Sequence, residues 1–565
     1  MKSNKIFIYQ ALPRLLGNIN SNNIPNGTIK ENGSGKFNDI STKFLENLKK
    51  SGYTHIWLIG ILAHASKTDY TKYGIPPEFP EIIKGNAGSP YAIRDYYDVD
   101  PDLAVNVHKR MQEFESALSR IHGAGLKLIV DFVPNHLARN YKSVSRPSRV
   151  RDFGSKDNRH VHFDPDNNFY YLPGEPLDVR SFYEGDEQVK YTEFPAKATG
   201  NDSFTATPSQ FDWYETVKLN YGVDIQGGGY KHFDPVPDTW KKMKDILMFW
   251  AGKNVDGFRC DMAEMVPLEF WRWVIPQVKT KFPGILFIAE IYNPSLYRSF
   301  LLNDNFDYLY DKVGLYDVLR DVASGYRPAS DISFALSNVG DIQHQMLNFI
   351  ENHDEQRVAS DHFLKARFKS EAAMIFTACL NTNPVMVYFG QELGEPGMDQ
   401  EGFSGKDGKT TIFDYWSIDT VRRWNNEGKW NDENLTDEEI NLKNFYSKLL
   451  NLCNREEALR DGLFYDLMYF NHGRDGFDAN KHYAFLRGTV NEIALVVVNF
   501  GNAPAEITVE IPEHAYEFFK LSDQEAFSIF PLLSENKEKI RFSKGGNIQL
   551  KISANSGEIF KVSAL

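Results

Sequence analysis

The chain has 565 residues, of which 42% are hydrophobic and 25% are charged, a balance that excludes disorder or a fibrous structure as a description of the whole chain. The 63 Lys and Arg against 76 Asp and Glu give a net charge of -13. Basic residues form only short runs such as 146–151, which argues against a nucleic-acid partner. No stretch approaches the roughly 20 consecutive apolar residues that a membrane span needs, so no membrane partner is expected.

Eight short runs of apolar, β-branched or aromatic residues predict eight strands that are buried on both faces of a parallel sheet. In chain order the runs are Lys5–Ala11, His55–Ile61, Leu126–Val133, Gly257–Cys260, Ile285–Glu290, Phe306–Tyr310, Phe349–Asn352 and Val385–Phe389. Between them, apolar residues recur at spacings of three and four, as in the segment that ends at Gly123 and the one that follows Pro237. This spacing predicts amphipathic helices that alternate with the strands.

Alternating strands and helices predict an α/β fold, specifically a (β/α)8 TIM barrel. A doubly wound open sheet is the alternative, but no Gly-rich phosphate loop follows the first run. A polar segment without helical period predicts an inserted subdomain after the third strand. Period-two alternation near the end, with a hairpin at Asn491-Glu492, predicts a C-terminal antiparallel β-sandwich domain. We therefore predict barrel segments at 1–136 and 223–460, the inserted subdomain at 137–222 and the C-terminal domain at 461–565.

The cysteines and the N-terminus bear on the compartment. Cys260, Cys379 and Cys453 are far apart and odd in number, without the spacing of metal ligands, which disfavours a disulfide framework or a zinc site. No basic segment followed by an apolar one opens the sequence, so a cytoplasmic protein is the default prediction. Export with a trimmed signal is the alternative.

Ionisable residues stand at the ends of the predicted strands, where a barrel places its active site. They are Asp131, His136, Arg259, Asp261, Glu290, His353 and Asp354. Each has a structural reading of its own, as a helix cap, an ion pair or a satisfied buried histidine. So many ionisable groups at the same end of neighbouring strands nevertheless favour a catalytic site.

Convergent carboxylates suit the cleavage of glycosidic bonds, which needs one carboxylic acid and one carboxylate. We expect the nearby Arg259 to favour the charged form of Asp261, which makes Asp261 the nucleophile. Glu290 ends an apolar run near other carboxylates, so we expect its pKa to be raised and its role to be general acid and then base. Asp354 would stabilise the positive charge that develops on the sugar.

The motifs that carry these residues resemble the α-amylase family, glycoside hydrolase family 13. They are Asp131-Phe-Val-Pro-Asn135-His136, Gly257-Phe-Arg259-Cys-Asp261, Glu290 and Asn352-His353-Asp354, with Lys218-Leu-Asn220-Tyr as a weaker fifth segment. The resemblance implies a retaining mechanism in which Asp261, Glu290 and Asp354 have the roles given above. It also implies a substrate-binding set of Tyr91, Asp131, His136, Arg259 and His353, although Tyr91 also fits a core position.

The sequence departs from the family pattern after the nucleophile. Typical members often carry Lys and His at the third and fourth positions after it, where they contact sugar on the leaving-group side, and here these are Glu264 and Met265. Asn135 matches a position that often binds calcium in the family, so the resemblance implies that a structural Ca²⁺ could bind. No cofactor is expected for the chemistry itself, and no residue is assigned as a metal ligand.

The sequence thus predicts a glycosidase that cleaves α-glucosidic bonds in starch-derived glucans or maltooligosaccharides. Its expected partner is an oligosaccharide or polysaccharide substrate. An α-glucan transglycosylase or isomerase of the same family is the alternative within enzymes. A non-catalytic carbohydrate-binding scaffold is the alternative of another class, and the presence of all three carboxylates argues against it.

Overall fold

An eight-stranded parallel sheet forms the centre of the computed structural model, which describes residues 5–183, 189–302, 305–521, 523–535 and 538–564. The strands are β1 (Phe7–Ala11), β2 (His55–Leu58), β3 (Lys127–Phe132), β4 (Gly257–Cys260), β5 (Leu286–Ala289), β6 (Tyr308–Tyr310), β7 (Met346–Leu347) and β8 (Val385–Tyr388). Their order in the sheet is β7-β6-β5-β4-β3-β2-β1-β8. A parallel bridge between Asn348 and Val385 brings the two ends together, which confirms the predicted barrel.

Helices lie between these strands and also follow β8. The α-helices are Pro13–Leu16, Ile29–Asn32, Thr42–Lys50, Arg110–Gly123, Asp238–Gly252, Leu268–Lys281, Tyr297–Leu301, Asp317–Ala323, Asp331–Asn338, Glu371–Cys379, Asp419–Asn425, Asp437–Arg455, Glu457–Asp461, Met468–Asn471 and Glu513–Phe518. The predicted apolar face of the helix Asp238–Gly252 is buried, including Trp240, Leu247 and Trp250. Among the described helices, none has both the length and the apolar character that crossing a membrane requires.

The prediction of the seventh strand was wrong. It was placed at Phe349–Asn352, whereas the strand is formed by Met346 and Leu347, which pair with Leu309 and Tyr310 of β6. Phe349 lies beyond the strand, where its ring packs 5.4 Å from that of Tyr310. Apolar residues alone do not distinguish a short buried strand from the buried segment that follows it.

The long connection after β3 contains short antiparallel pairs of strands. His136–Ala138 pairs with Thr216–Lys218, Tyr171–Leu172 pairs with Ala196–Lys197, and Val223–Asp224 pairs with Tyr230–Lys231. A further pair, Leu62–His64 with Ile93–Val99, follows β2. The strand His136–Ala138 begins shortly after the C-terminal end of β3, so its pairing with Thr216–Lys218 anchors the long connection at the mouth of the barrel.

The C-terminal region is antiparallel, as predicted. Its strands are β9 (Leu463–Asp466), β10 (His482–Gly488), β11 (Ile493–Asn499), β12 (Ala505–Glu510), β13 (Ala526–Pro531), β14 (Ile540–Ser543), β15 (Asn547–Ile552) and β16 (Ser556–Ala564). Six form one sheet in the order β9-β10-β11-β16-β13-β14, and β12 pairs with β15. Gly488 pairs with Ile493, which confirms the hairpin at Asn491-Glu492. The exact domain boundaries given above stay predictions.

Candidate active site

Three carboxylates that follow barrel strands line one cleft. Asp261 comes directly after β4, Glu290 comes directly after β5, and Asp354 lies in the loop after β7. The cleft has a volume of about 280 Å³ and is also lined by Tyr91 and His136. A larger depression of about 860 Å³ is lined mainly by C-terminal strands and contains none of these residues. The convergence of the three carboxylates identifies the smaller cleft as the candidate active site.

Arg259 lies beneath the cleft and carries the positive charge that faces these carboxylates. Its side chain is 1% exposed. One terminal nitrogen lies 2.7 Å from Oδ1 of Asp261 and 3.3 Å from Oδ1 of Asp131, and the other lies 2.6 Å from Oε1 of Glu290. The rings of Trp57, Tyr91 and Tyr310 surround the guanidinium at 5.3 to 5.5 Å. One buried cation therefore serves three buried carboxylates.

Asp261 is held at its backbone and at one carboxylate oxygen. Its amide donates to the carbonyl of Phe132 at 2.9 Å, and its Oδ1 faces Arg259. Among the described residues, the buried Oδ2 has no hydrogen-bond partner. Burial raises the pKa of Asp261 well above its usual range, and the charge of Arg259 only partly opposes this. Arg259 thus acts in the expected direction, favouring the charged form, but burial is the larger influence, and the role of Asp261 as nucleophile stays a prediction.

Glu290 has polar partners on both carboxylate oxygens. Its Oε2 accepts from the amide of Met262 at 2.8 Å, and its Oε1 accepts from the hydroxyl of Tyr292 at 2.8 Å. The same Oε1 forms the ion pair with Arg259. From the sequence, Glu290 was expected at an apolar strand end near other carboxylates. That expectation did not include the contacts that hold this side chain.

Asp354 is the most accessible of the three carboxylates, with a side chain that is 39% exposed. Its Oδ2 lies 3.1 Å from Nε2 of His353. That nitrogen also lies 2.5 Å from the hydroxyl of Tyr91, while Nδ1 lies 3.0 Å from the amide of Gln10 on β1. Burial lowers the pKa of His353 to about 3, so its imidazole is neutral near pH 7.

His136 lines the cleft and is a second neutral histidine of the site. Burial lowers the pKa of His136 to about 3, and the nearby Lys218 contributes to this shift. Its ring lies 5.2 Å from that of Trp213, which also lines the cleft. Of the five predicted substrate-binding residues, Tyr91 and His136 line the cleft, Arg259 and His353 contact residues that do, and Asp131 contacts Arg259.

Asp131 is buried between Trp57 and Arg259. The indole of Trp57 donates to Oδ2 at 3.0 Å, and Arg259 lies 3.3 Å from Oδ1. Burial raises the pKa of Asp131 to about 7, against the lowering effect of Arg259. Between the two pKa values, Asp131 is protonated in the folded protein and ionised in the unfolded chain. The free energy of unfolding therefore falls as the pH rises through this range.

We expect Asp131→Asn to gain stability relative to the wild type as the pH rises. Between pH 4 and pH 8 the wild type loses the stability that comes from the raised pKa, roughly 4 kcal/mol at full ionisation, and the amide does not titrate. Urea unfolding of both proteins across this range measures the difference in the free energy of unfolding. A difference that stays constant with pH would mean that Asp131 titrates alike in the folded and unfolded chain.

Among the cleft residues that were missed from the sequence are two aromatic side chains, Tyr292 and Trp213. Tyr292 donates to Glu290 and lies two residues beyond it, so extending the reading of the fifth strand end would have found it. Trp213 lies in the long connection after β3, where no periodicity marks individual positions. Both present aromatic surface beside the carboxylates, which suits the apolar face of a sugar ring.

The departure at Glu264 and Met265 has a structural role. The carboxylate of Glu264 accepts from the backbone amides of Tyr292 and Asn293 at 3.2 and 3.0 Å. It therefore fixes the segment that carries Tyr292, whose hydroxyl in turn contacts Glu290. Neither Glu264 nor Met265 is among the residues that line the cleft. The residue that differs from the family pattern thus acts on the cleft through its neighbours.

The calcium site that the resemblance implies at Asn135 does not fit this chain. Oδ1 of Asn135 accepts from the ammonium group of Lys218 at 2.5 Å, and its Nδ2 donates to the carbonyl of Gly200 at 2.8 Å. A lysine cation thus occupies the face of Asn135 that would be needed by a metal ion. Within the described ranges, no cluster of three or more His, Cys, Asp or Glu side chains could hold a metal ion.

Comparisons with known proteins agree with this arrangement. The family model for the catalytic domain of α-amylase matches residues 18–284, which contain the motifs at 131–136 and 257–261. α-Amylase MalA of Haloarcula japonica is 25% identical over 481 residues, and alpha-amylase 3 of Dictyoglomus thermophilum is 24% identical over 427 residues. The matches cover 84% and 72% of this chain, and 54% and 74% of those proteins. This chain thus spans about half the length of the first.

Solved structures extend the likeness in fold to the whole chain. The maltogenic α-amylase AmyB from Thermotoga neapolitana has a TM-score of 0.61 and 20% sequence identity, and the match covers 100% of both chains. The family model ends before Glu290, and the cleft brings Glu290 and Asp354 together with Asp261 from the matched region. The barrel, the motifs and the relatives agree, and the chain is similar to the α-amylase family, glycoside hydrolase family 13.

Proposed function

We propose that this protein is a retaining glycoside hydrolase that cleaves α-glucosidic bonds in starch-derived glucans or maltooligosaccharides. The observation that carries the proposal is the meeting of Asp261, Glu290 and Asp354 in one cleft, beside the aromatic rings of Tyr91 and Trp213. Carboxylates supply the acid and the nucleophile that the reaction needs, and the rings suit the apolar faces of sugars.

The first step forms a bond between Asp261 and the sugar. Oδ2 of Asp261, which has no hydrogen-bond partner among the described residues, attacks the anomeric carbon. Glu290 gives its proton to the glycosidic oxygen, the bond between that oxygen and the anomeric carbon breaks, and the shortened glucan leaves. In the second step Glu290 removes a proton from water, the water oxygen bonds to the anomeric carbon, and Asp261 is released as a carboxylate.

The arrangement around Arg259 supports retention rather than inversion. Asp261 and Glu290 contact the two terminal nitrogens of one guanidinium at 2.7 and 2.6 Å, so their carboxyl groups lie close together. Retaining glycosidases have carboxyl groups about 5 Å apart, whereas inverting ones leave room for a water molecule between substrate and base. The shared guanidinium favours the closer spacing.

The charges around Arg259 bear on the proton that Glu290 and Asp261 need for the proposed reaction. Arg259 supplies one positive charge near Asp131, Asp261 and Glu290, and Asp354 adds a fourth carboxylate to the same region. Four ionised carboxylates around one cation are unfavourable, and burial raises the pKa of Asp131, Asp261 and Asp354, which favours bound protons in this group. Hydrolysis needs one of these protons on Glu290 while Asp261 is ionised.

Neutral polar groups around the cleft suit sugar hydroxyls. The imidazoles of His136 and His353 are uncharged near pH 7, so each has one donor and one acceptor nitrogen. Asp354, which is partly exposed, is an acceptor at the cleft surface. The proposed substrate is an oligosaccharide or polysaccharide. The cytoplasmic location stays a prediction, and it would favour imported oligosaccharides over raw starch.

Incubation with maltoheptaose, with the products resolved over time, tests the proposed function. We expect shorter maltooligosaccharides only, because water resolves the covalent intermediate. Longer products as well would indicate transfer to a sugar hydroxyl, and an unchanged substrate that still binds would indicate a non-catalytic scaffold. Proton NMR of the anomer first released tests retention, and the release of the β-anomer would contradict the assigned roles of Asp261 and Glu290.

A further inference from the structure

The ammonium group of Lys218 lies in a cage of oxygen atoms. Its Nζ lies 2.5 Å from Oδ1 of Asn135, 2.7 Å from Oδ1 of Asp202 and 3.3 Å from the backbone oxygen of Met265. The lysine side chain is only 4% exposed. A lysine ammonium has three N–H donors, and here three oxygen atoms are available to accept them.

The three acceptors come from different parts of the site. Asn135 follows β3, Asp202 lies in the long connection after β3, and Met265 ends the turn that follows the nucleophile Asp261. Lys218 itself is paired with His136, which lines the cleft. One cation therefore ties together the segments that form this wall of the cleft.

The oxygen types in the cage are those that calcium prefers. An amide oxygen, a carboxylate oxygen and a backbone carbonyl are typical Ca²⁺ ligands. Here they face a positive charge that is covalently part of the chain. A calcium ion at Asn135 would have to displace the ammonium, and the displaced charge would lie in a buried environment close to the ion.

We propose that Lys218 replaces a metal ion as the built-in cation of this site. The cage then holds Asn135, Asp202 and Met265 together without calcium, and the stability of the cleft wall does not depend on metal supply. The proposal concerns stability and metal binding, so its test does not depend on the proposed function.

The first test uses the wild-type protein. After dialysis against EDTA, we expect its Tm to change by no more than about 1 °C when calcium is added, since no site binds the ion specifically. Elemental analysis of the protein before dialysis should give far less than one calcium per chain. A fall in Tm on treatment with EDTA, or one tightly held calcium per chain, would overturn the proposal.

The second test creates the metal site by removing the lysine. Lys218→Ala leaves the oxygen atoms of Asn135, Asp202 and Met265 without a cation, so we expect Tm to fall by several degrees in EDTA. Millimolar calcium should restore at least half of this loss, because Ca²⁺ can fill the vacated cage. Recovery no larger than the response of the wild type would contradict the proposal.

Two controls separate the cage from general effects of calcium on an acidic protein. Lys218→Ala combined with Asp202→Asn removes the carboxylate of the cage, and calcium should then restore little of the lost Tm. Lys231→Ala removes an exposed ion pair with Glu269 and should show no calcium response beyond that of the wild type. If Lys218→Ala does not fold in EDTA, the variant is purified in calcium and its Tm is measured before and after chelation. The test on the wild-type protein does not depend on this variant.

Discussion

Asp261→Asn is expected to lower kcat by about 10⁴-fold or more while leaving the fold intact, because an amide cannot form the covalent bond to the sugar. Asparagine keeps an oxygen atom that can accept from Arg259, and it removes a charge that burial disfavours, as the raised pKa of the native carboxyl group indicates. We therefore expect Tm to stay within a few degrees of the wild type. Steady-state kinetics on maltoheptaose, thermal unfolding and calorimetric binding of the same sugar measure the three quantities.

Asp256→Asn is the matched control for this substitution. Asp256 precedes β4, and its carboxylate accepts from the amide of Leu128. Asp256→Asn is therefore the same chemical change as Asp261→Asn, placed at the opposite end of the same strand. Residues at that end of a barrel support stability rather than catalysis, and kcat should be nearly unchanged. If Asp261→Asn kept most of its activity, the nucleophile would have to be another residue.

Glu290→Gln is expected to have an effect that depends on the leaving group. With maltooligosaccharides, kcat/KM should fall by about 10²- to 10⁴-fold, since the glutamine cannot protonate the departing oxygen. With α-glucosyl fluoride, whose leaving group needs little protonation, formation of the intermediate should be affected much less. Comparing the two substrates in the same buffer tests the acid role, and equal losses on both would contradict it.

The same variant also probes the charge of its neighbour. The negative charge of Glu290 contributes to the raised pKa of Asp261. Replacing Glu290 by glutamine removes this repulsion, so the pKa of Asp261 should fall. The acid side of the pH profile of kcat/KM with α-glucosyl fluoride should therefore move to lower pH. A profile that moved to higher pH would mean that another group controls ionisation of the nucleophile.

The barrel could be predicted because its strands are buried on both faces and read as nearly continuous apolar runs. Gly257–Cys260 was placed correctly in full, since Gly257 and the charged residues after Cys260 mark both ends. The seventh strand was misplaced because Met346 and Leu347 form too short a run to stand out from Phe349 and Ile350. Pairing with β6, which no local pattern reveals, decides which residues form the strand.

The candidate site could be located from sequence, but its electrostatics could not. Asp261, Glu290 and Asp354 were found because barrel strands end together, which is a property of the fold. The contact of Arg259 with Glu290 crosses between neighbouring strands, so the sequence could not show that the same guanidinium serves both carboxylates. For the same reason the burial that raises the pKa of Asp261 was missed.

Lys218 illustrates the same limit. Its segment was noted only as a resemblance, and its acceptors Asn135, Asp202 and Met265 are far from it or scattered along the chain. The family position of Asn135 pointed to calcium, while the lysine that takes its oxygen is 83 residues away. One residue can indicate which kind of ligand atom a site offers. Whether a metal ion or a side chain binds there depends on the neighbours in the folded structure.

The pairing of β1 with β8 has a consequence for biosynthesis. Tyr9 pairs with Ile56 of β2 and with Val387 of β8, so the first strand meets its second partner only after roughly 380 further residues have been made, a very non-local contact. At about 5–20 residues per second, the nascent chain waits on the order of 20–80 s before the ring can close. Gln10 on β1 contacts His353, 343 residues further along the chain, so this contact of the candidate site also forms only late in synthesis.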